Sequence, residues 1–291
     1  MNTSDRFIIT HSINFCSCYS PQNLLNQYTN VTPIAISHPF ARYVLYNPYD
    51  NTLIVLGDNL IGQYYVSNLT RFRTLSVTIT PLAAVVDSNS IYVAFGDNMS
   101  VSKYDMKLTF NRSVSIPTTS SSSFCYGLAL WKNGLFVTDD QKNLIWFIDS
   151  TTMNISLYLK LTNYSIEPFS IVVYNNVLYI SQLSSAVIYV YDLVSKSMRS
   201  LTFPNSTALY RLGMDPYCNR IWFGTQSTTF SSVPVIDLAS HEPAVYYARG
   251  ALTTGPTYKI EFDSNYAMYT VAVHGNYFYK YPMSAIFCDK N

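Results

Sequence analysis

The sequence predicts an all-β fold, a single six-bladed β-propeller spanning residues 1–291 whose ring is closed by an N-terminal strand joining the last blade. Three observations predict it: a strand-rich composition, an apolar run that recurs six times, and a strand-forming segment ahead of the first repeat. Tyr occurs 26 times and Phe 16 times, while Glu occurs only at Glu167, Glu242 and Glu261. Strands favour aromatic and β-branched residues and helices favour Glu, Lys, Ala and Leu, so the composition reads as β throughout.

The recurring runs are Leu53-Ile-Val-Leu-Gly57, Ile91-Tyr-Val-Ala-Phe-Gly96, Leu135-Phe-Val-Thr-Asp139, Leu178-Tyr-Ile-Ser-Gln182, Ile221-Trp-Phe-Gly-Thr225 and Met268-Tyr-Thr-Val-Ala-Val273. Their starts are 38, 44, 43, 43 and 47 residues apart, the spacing of units holding several strands each. Each run is preceded by a second apolar run and a turn, as in Tyr43-Val-Leu-Tyr-Asn-Pro-Tyr-Asp-Asn51 and Ser170-Ile-Val-Val-Tyr-Asn-Asn176. Asn, Asp, Gly and Pro at those tips suit tight hairpins. A third strand follows each run, and four of the six end in Asp, at Asp105, Asp149, Asp192 and Asp237. Blade strands pack on both faces and therefore read as continuous apolar runs, and no blade can bury its faces alone. The blades are expected near 34–75, 76–117, 124–161, 166–205, 207–250 and 255–291. Residues 1–33 form the closing segment, with Arg6 to Phe15 as its strand, because little chain follows the last repeat to build an outer strand. Closure removes an exposed sheet edge.

The third unit, Tyr126-Gly-Leu-Ala-Leu-Trp-Lys-Asn-Gly-Leu-Phe-Val-Thr-Asp-Asp-Gln-Lys-Asn-Leu-Ile-Trp-Phe-Ile-Asp149, resembles an NHL repeat, and the fourth matches nearly as well. Outside the third unit the position of Asp139 becomes Gly57, Gly96, Gln182 or Thr225. The resemblance implies the propeller fold. It does not select a function, because NHL-like and lactonase-like propellers include enzymes, binding modules and scaffolds.

Charged residues make up 12% of the chain, about half the usual share, and the net charge is +1. Nucleic-acid binding needs a concentrated positive field, and the sequence has no basic stripe. No apolar stretch reaches the 18 residues of a membrane span. The N-terminus lacks the long apolar core of a secretory signal. No phosphate-binding glycine motif occurs, and His11, His38, His241 and His274 share no ligand spacing. A structural role is expected for all four. Calcium-dependent lactonase-like propellers hold the metal with axial Glu, Asn and Asp. Glu167 is the one Glu read as near such a position, while Asn175, Asp215 and Asp263 fall at turns, so one weak candidate ligand and no cofactor are expected.

Eight Asn-x-Ser/Thr sequons occur. Asn68, Asn111, Asn154, Asn163 and Asn205 fall in expected loops and are the glycosylation candidates. Of five cysteines, Cys125 and Cys218 read as buried or free thiols. Ring closure brings Cys16 or Cys18 near Cys288, which makes these three the disulfide candidates. Tyr is expected chiefly in the core, with Tyr246, Tyr247 and Tyr277 to Tyr281 more exposed. Thr118 to Ser123 reads as a low-complexity linker. The features together favour a non-enzymatic propeller, extracellular or on a particle surface, that binds a protein or assembles with itself. A calcium-dependent lactonase-like hydrolase and a glycan-binding lectin are the alternatives.

Overall fold

A computed structural model describes residues 20–282 apart from 30, 97, 118–122, 163–165, 184, 204–208, 216–217, 226–231, 241, 248–256 and 273–274. After α1 (Pro21–Thr29) and β1 (Ile34–Ser37) come four antiparallel sheets, each of four consecutive strands. They are β2 (Tyr43–Asn47) to β5 (Arg71–Ser76) through β3 (Thr52–Gly57) and β4 (Leu60–Tyr65), then β6 (Pro81–Val86), β7 (Ser90–Phe95), β8 (Ser100–Asp105) and β9 (Phe110–Ser115). The third comprises β10 (Leu128–Trp131), β11 (Gly134–Asp139), β12 (Leu144–Asp149) and β13 (Ile155–Lys160), and the fourth β14 (Pro168–Tyr174), β15 (Val177–Gln182), β16 (Val187–Asp192) and β17 (Met198–Thr202). The rest form one eight-stranded sheet: β18 (Leu209–Asp215), β19 (Arg220–Thr225), β20 (Ser232–Asp237), β21 (Glu242–Tyr247), β22 (Thr257–Phe262), β23 (Met268–Ala272), β24 (Tyr277–Tyr281) and β1. Its two four-stranded halves meet at the single pair Thr225–Thr257.

The first strands of the units lie beside one another in the order β2, β6, β10, β14, β18 and β22, and β22 returns to β2. The second strands β3, β7, β11 and β19 are buried along their whole length, as runs packed on both faces must be. The fourth strand β9 is largely exposed, and β5 is exposed or half-buried throughout. Hydrophobic clusters fill the seams between sheets; one joins Ile54 and Leu56 to Ala84, Val93 and Val101. Where β18 passes β22, a Cβ at Gly213 would lie 1.8 Å from the Ile260 carbonyl oxygen, so only glycine permits that approach.

The aspartates that end third strands cap the following turn. Asp105 accepts hydrogen bonds from the Lys107 and Thr109 amides, Asp149 from those of Thr151 and Thr152, and Asp192 from those of Val194 and Ser195. These backbone donors hold all three carboxyls below the usual aspartate range. The turn tips use positive φ as expected, at Asn51, Asn175, Asn176 and Asn219, and also at Lys132.

Two features differ from the sequence expectation. The strand on β24 is Ile34–Ser37, paired from Ile34–Lys280 to Ser37–Tyr277, although the sequence placed it in the first unit. Residues 6–15 lie outside the described residues. Within the closing segment 1–33, where the sequence expected a strand at Arg6 to Phe15 and no helix, residues 21–29 form a helix. Pro21 stands at its first position, and Ser20 Oγ accepts the Asn23 amide hydrogen bond as N-cap. Leu24, Leu25 and Tyr28 then share one face, which is buried against Trp222, Val233, Val235 and Phe262.

His38 is fully buried at the entry to the first unit. Its Nδ1 shares a 2.8 Å hydrogen bond with the Tyr64 hydroxyl. Burial, with the Arg71 guanidinium adding to it, lowers its pKa to about 4. The fold therefore holds the neutral ring while the unfolded chain takes a proton below about pH 6.5. Stability from this group is complete above that value and declines as the pH falls to about 4, by up to roughly 3 kcal/mol in all. Urea denaturation across this window should show the decline, and His38→Gln should flatten it.

Candidate functional site

A pocket of about 190 Å³ opens where the first strands begin. Phe40 and Arg42 lead into β2, Tyr126 leads into β10, and Phe169, Tyr210 and Tyr258 are the second residues of β14, β18 and β22. Leu183 and Ala272, at the ends of β15 and β23, complete the wall with Ala41. The register explains why aromatic rings turn inward here. Pairing shifts between Pro168 and Ser170, between Leu209 and Leu212, and between Thr257 and Lys259. Each shift falls on the residues that reach the pocket, and a bulge re-aims a side chain in this way. The rings pack on one another, with Tyr126–Phe169 centroids 4.8 Å apart and Tyr210–Tyr258 4.9 Å apart. Burial first, and then Tyr258, pushes the Tyr126 phenol up to about 12, so it stays protonated at neutral pH.

Behind the pocket wall lies Arg211, fully buried. Its guanidinium carbon is 5.0 Å from the Tyr258 ring centroid, 5.3 Å from those of Tyr43 and Phe169, and 5.9 Å from that of Tyr126. These rings come from β2, β14, β22 and the residues entering β10, so the charge sits among the first strands of several units. Nη1 donates to the Tyr126 carbonyl, whereas Nε and Nη2 are buried without a hydrogen-bond partner among the described residues. Tyr43 also meets Lys259, whose Nζ is 3.9 Å from the ring centroid and 2.7 Å from Glu261 Oε2. Burial opposes the lysine charge most strongly, but Glu261 and Tyr43 together outweigh it and raise the lysine pKa. At the mouth, Arg42 pairs with Asp58 at 2.7 Å.

The sequence candidates are placed elsewhere. Glu167 is exposed, and Glu261, not Glu167, is the glutamate on a first strand. Among the described residues no group of three or more His, Cys, Asp or Glu could hold a metal ion. Asp215 and Asp263 are buried; Asp215 bonds the Tyr266 hydroxyl and Asp263 bonds that of Tyr269. Asn68, Asn111 and Asn154 are exposed in the β4–β5, β8–β9 and β12–β13 hairpins, Asn111 on β9 rather than in a loop. Asn163, Asn205, Cys16, Cys18, Cys288, His11, His241, His274 and residues 118–122 lie outside the described residues. Cys125 is a buried free thiol, but Cys218 is disulfide-bonded rather than free. Of the tyrosines read as exposed, Tyr277 is, Tyr246 is half-buried and Tyr281 is buried. The pocket aromatics and Arg211 escaped the sequence reading, although its fifth unit, 207–250, contained Tyr210 and Arg211.

The sequence matches no protein-family model and no curated protein. Among solved structures, a structural genomics protein of unknown function from Bacteroides thetaiotaomicron is similar, with a TM-score of 0.66 and 12% identity over 85% of this chain and 70% of that one. The WD40 domain of Neurospora crassa Pan2 is similar at a TM-score of 0.63 and 9% identity, covering 86% of this chain and 92% of that one. This chain has a β-propeller fold. U3-55K is a further similar structure, at a TM-score of 0.61 and 9% identity, over 82% of this chain and 76% of that one. The fold expected from NHL-like units is thus shown at the level of the propeller, and identities this low speak to fold alone.

Proposed function

We propose that this is a six-bladed propeller closed through β1 on β24, acting as a non-enzymatic module that docks a segment of a protein partner in the axial pocket. The return of β22 to β2 supports the six-fold ring, and the β1–β24 ladder supports its closure. The aromatic pocket carries the docking reading, because concave aromatic sites on a rigid scaffold are where partners find most of their binding energy. Phe40, at 46% exposure, stands at its rim.

We place the protein outside cells or on a particle surface. Asn68, Asn111 and Asn154 follow third strands, at the end of the sheets away from the pocket, so glycans there leave the mouth open. The cysteines fit the same compartment: Cys218 is disulfide-bonded and Cys125 is free, which leaves Cys16, Cys18 and Cys288. Cys218 packs on the cluster that buries α1, a few residues after Cys16 and Cys18. We assign it to one of that pair and Cys288 to the other. Non-reducing peptide mapping should recover both links; free Cys288 in native protein would remove the second.

Peptides selected from a random library test the docking reading. Binders should lose at least tenfold in affinity to Tyr258→Ala and Phe40→Ala and keep full affinity for Val194→Ala, a 76% exposed residue of the β16–β17 turn. Binders indifferent to both pocket variants would contradict it. Aromatic rings also stack on sugars, and a glycan array tests that second reading on the same variants.

A further inference from the structure

We propose that the axial pocket takes a carboxylate-bearing ligand and that Arg211 receives the carboxylate. The inference rests on the reading that this pocket is the binding site. Three observations carry it. First, the guanidinium leaves Nε and Nη2 buried and unpaired, although its fork is built to hold a carboxylate through two parallel hydrogen bonds. Cation–π contacts with four rings hold the charge in place but satisfy neither donor. Second, two buried cations, Arg211 and Lys259, pack on the Tyr43 ring, and of the two only Lys259 has a carboxylate partner among the described residues, Glu261. A buried charge without a partner is costly, so an incoming anion is favoured there more than at the surface. Third, Tyr126, Phe169 and Tyr258 both line the pocket and surround the guanidinium, so a flat apolar group between them carries its carboxylate toward Nε and Nη2. The volume suits one ring: apolar cavities of about 150 Å³ take benzene.

Benzoate and its uncharged counterpart benzamide are the probes. Calorimetric titration should show saturable benzoate binding and at least tenfold weaker benzamide binding. Absence of benzoate binding, or equal binding of both, would overturn the inference. Arg211→Met should lower benzoate affinity at least tenfold; unchanged affinity overturns it. Wild-type protein gives a readout that needs no variant. The assigned Arg211 Nε–H resonance should move with benzoate and stay still with benzamide, and a resonance unmoved at benzoate saturation overturns the proposal. Free and C-terminally amidated forms of a pocket-binding peptide tell a terminal carboxylate from an acidic side chain. Dependence on either supports the inference, and dependence on neither contradicts it for peptides. Benzoate binding without any peptide binder removes only the docking reading, whereas peptides that bind Arg211→Met normally remove only this one.

Discussion

Glu261→Gln should destabilise the protein by about 3–5 kcal/mol, the cost of leaving one member of a buried ion pair uncompensated. Lys259 is 3% exposed, its ammonium lies 2.7 Å from the Glu261 carboxylate, and among the described residues no other carboxylate pairs with it. The amide keeps the shape and removes the charge, so the loss reports electrostatics rather than packing. The double variant Lys259→Met/Glu261→Leu should recover most of it, since replacing a whole buried pair with apolar groups is often neutral or stabilising. Urea denaturation of the wild type, the single variant and the double variant measures all three. A loss below about 1 kcal/mol in Glu261→Gln would mean that water reaches Lys259 and takes the place of the lost pairing.

Trp222→Ala should cost a similar amount, roughly 3–5 kcal/mol, for a different reason. Trp222 is fully buried on β19, with its ring centroid 5.4 Å from that of Phe262 on β22. It belongs to the cluster that also holds Leu24, Leu25 and Tyr28, so it ties α1 to both halves of the eight-stranded sheet. Truncation leaves a cavity where three elements meet, and rigid strands cannot collapse to fill it. Hydrogen exchange should show α1 amides losing protection along with the global loss measured by urea. If α1 keeps its protection relative to the sheets, the cluster is not what holds the helix.

Both positions show how far the sequence could be read. The run Ile221-Trp-Phe-Gly-Thr225 was legible as a buried second strand because its period and its turns agree with five other copies. The aspartates at 105, 149 and 192 were legible as a pattern, and the turns they cap give the reason. The pocket was not legible. Its aromatics stand at the second position of first strands, or just ahead of them, where bulges break the alternation that would have told inward from outward. Arg211 precedes an apolar run by one residue and looks like connecting chain. Lys259 and Glu261 read as ordinary alternation, since sequence does not say which side of β22 faces the other first strands. The helix carried a signal that strand-rich composition masked: Ser20-Pro21, then Leu24, Leu25 and Tyr28 at helical spacing.

The central claim is that the axial pocket, and not the blade edges or the opposite end, is where this propeller binds. A crystal structure of the protein with a selected peptide bound tests it most directly. The predicted result is a peptide side chain seated among Phe40, Tyr126, Phe169, Tyr210 and Tyr258, with a carboxylate on Arg211. A peptide lying along the outer strands, or at the turns that carry Asn68 and Asn154, with the pocket unfilled, would contradict it.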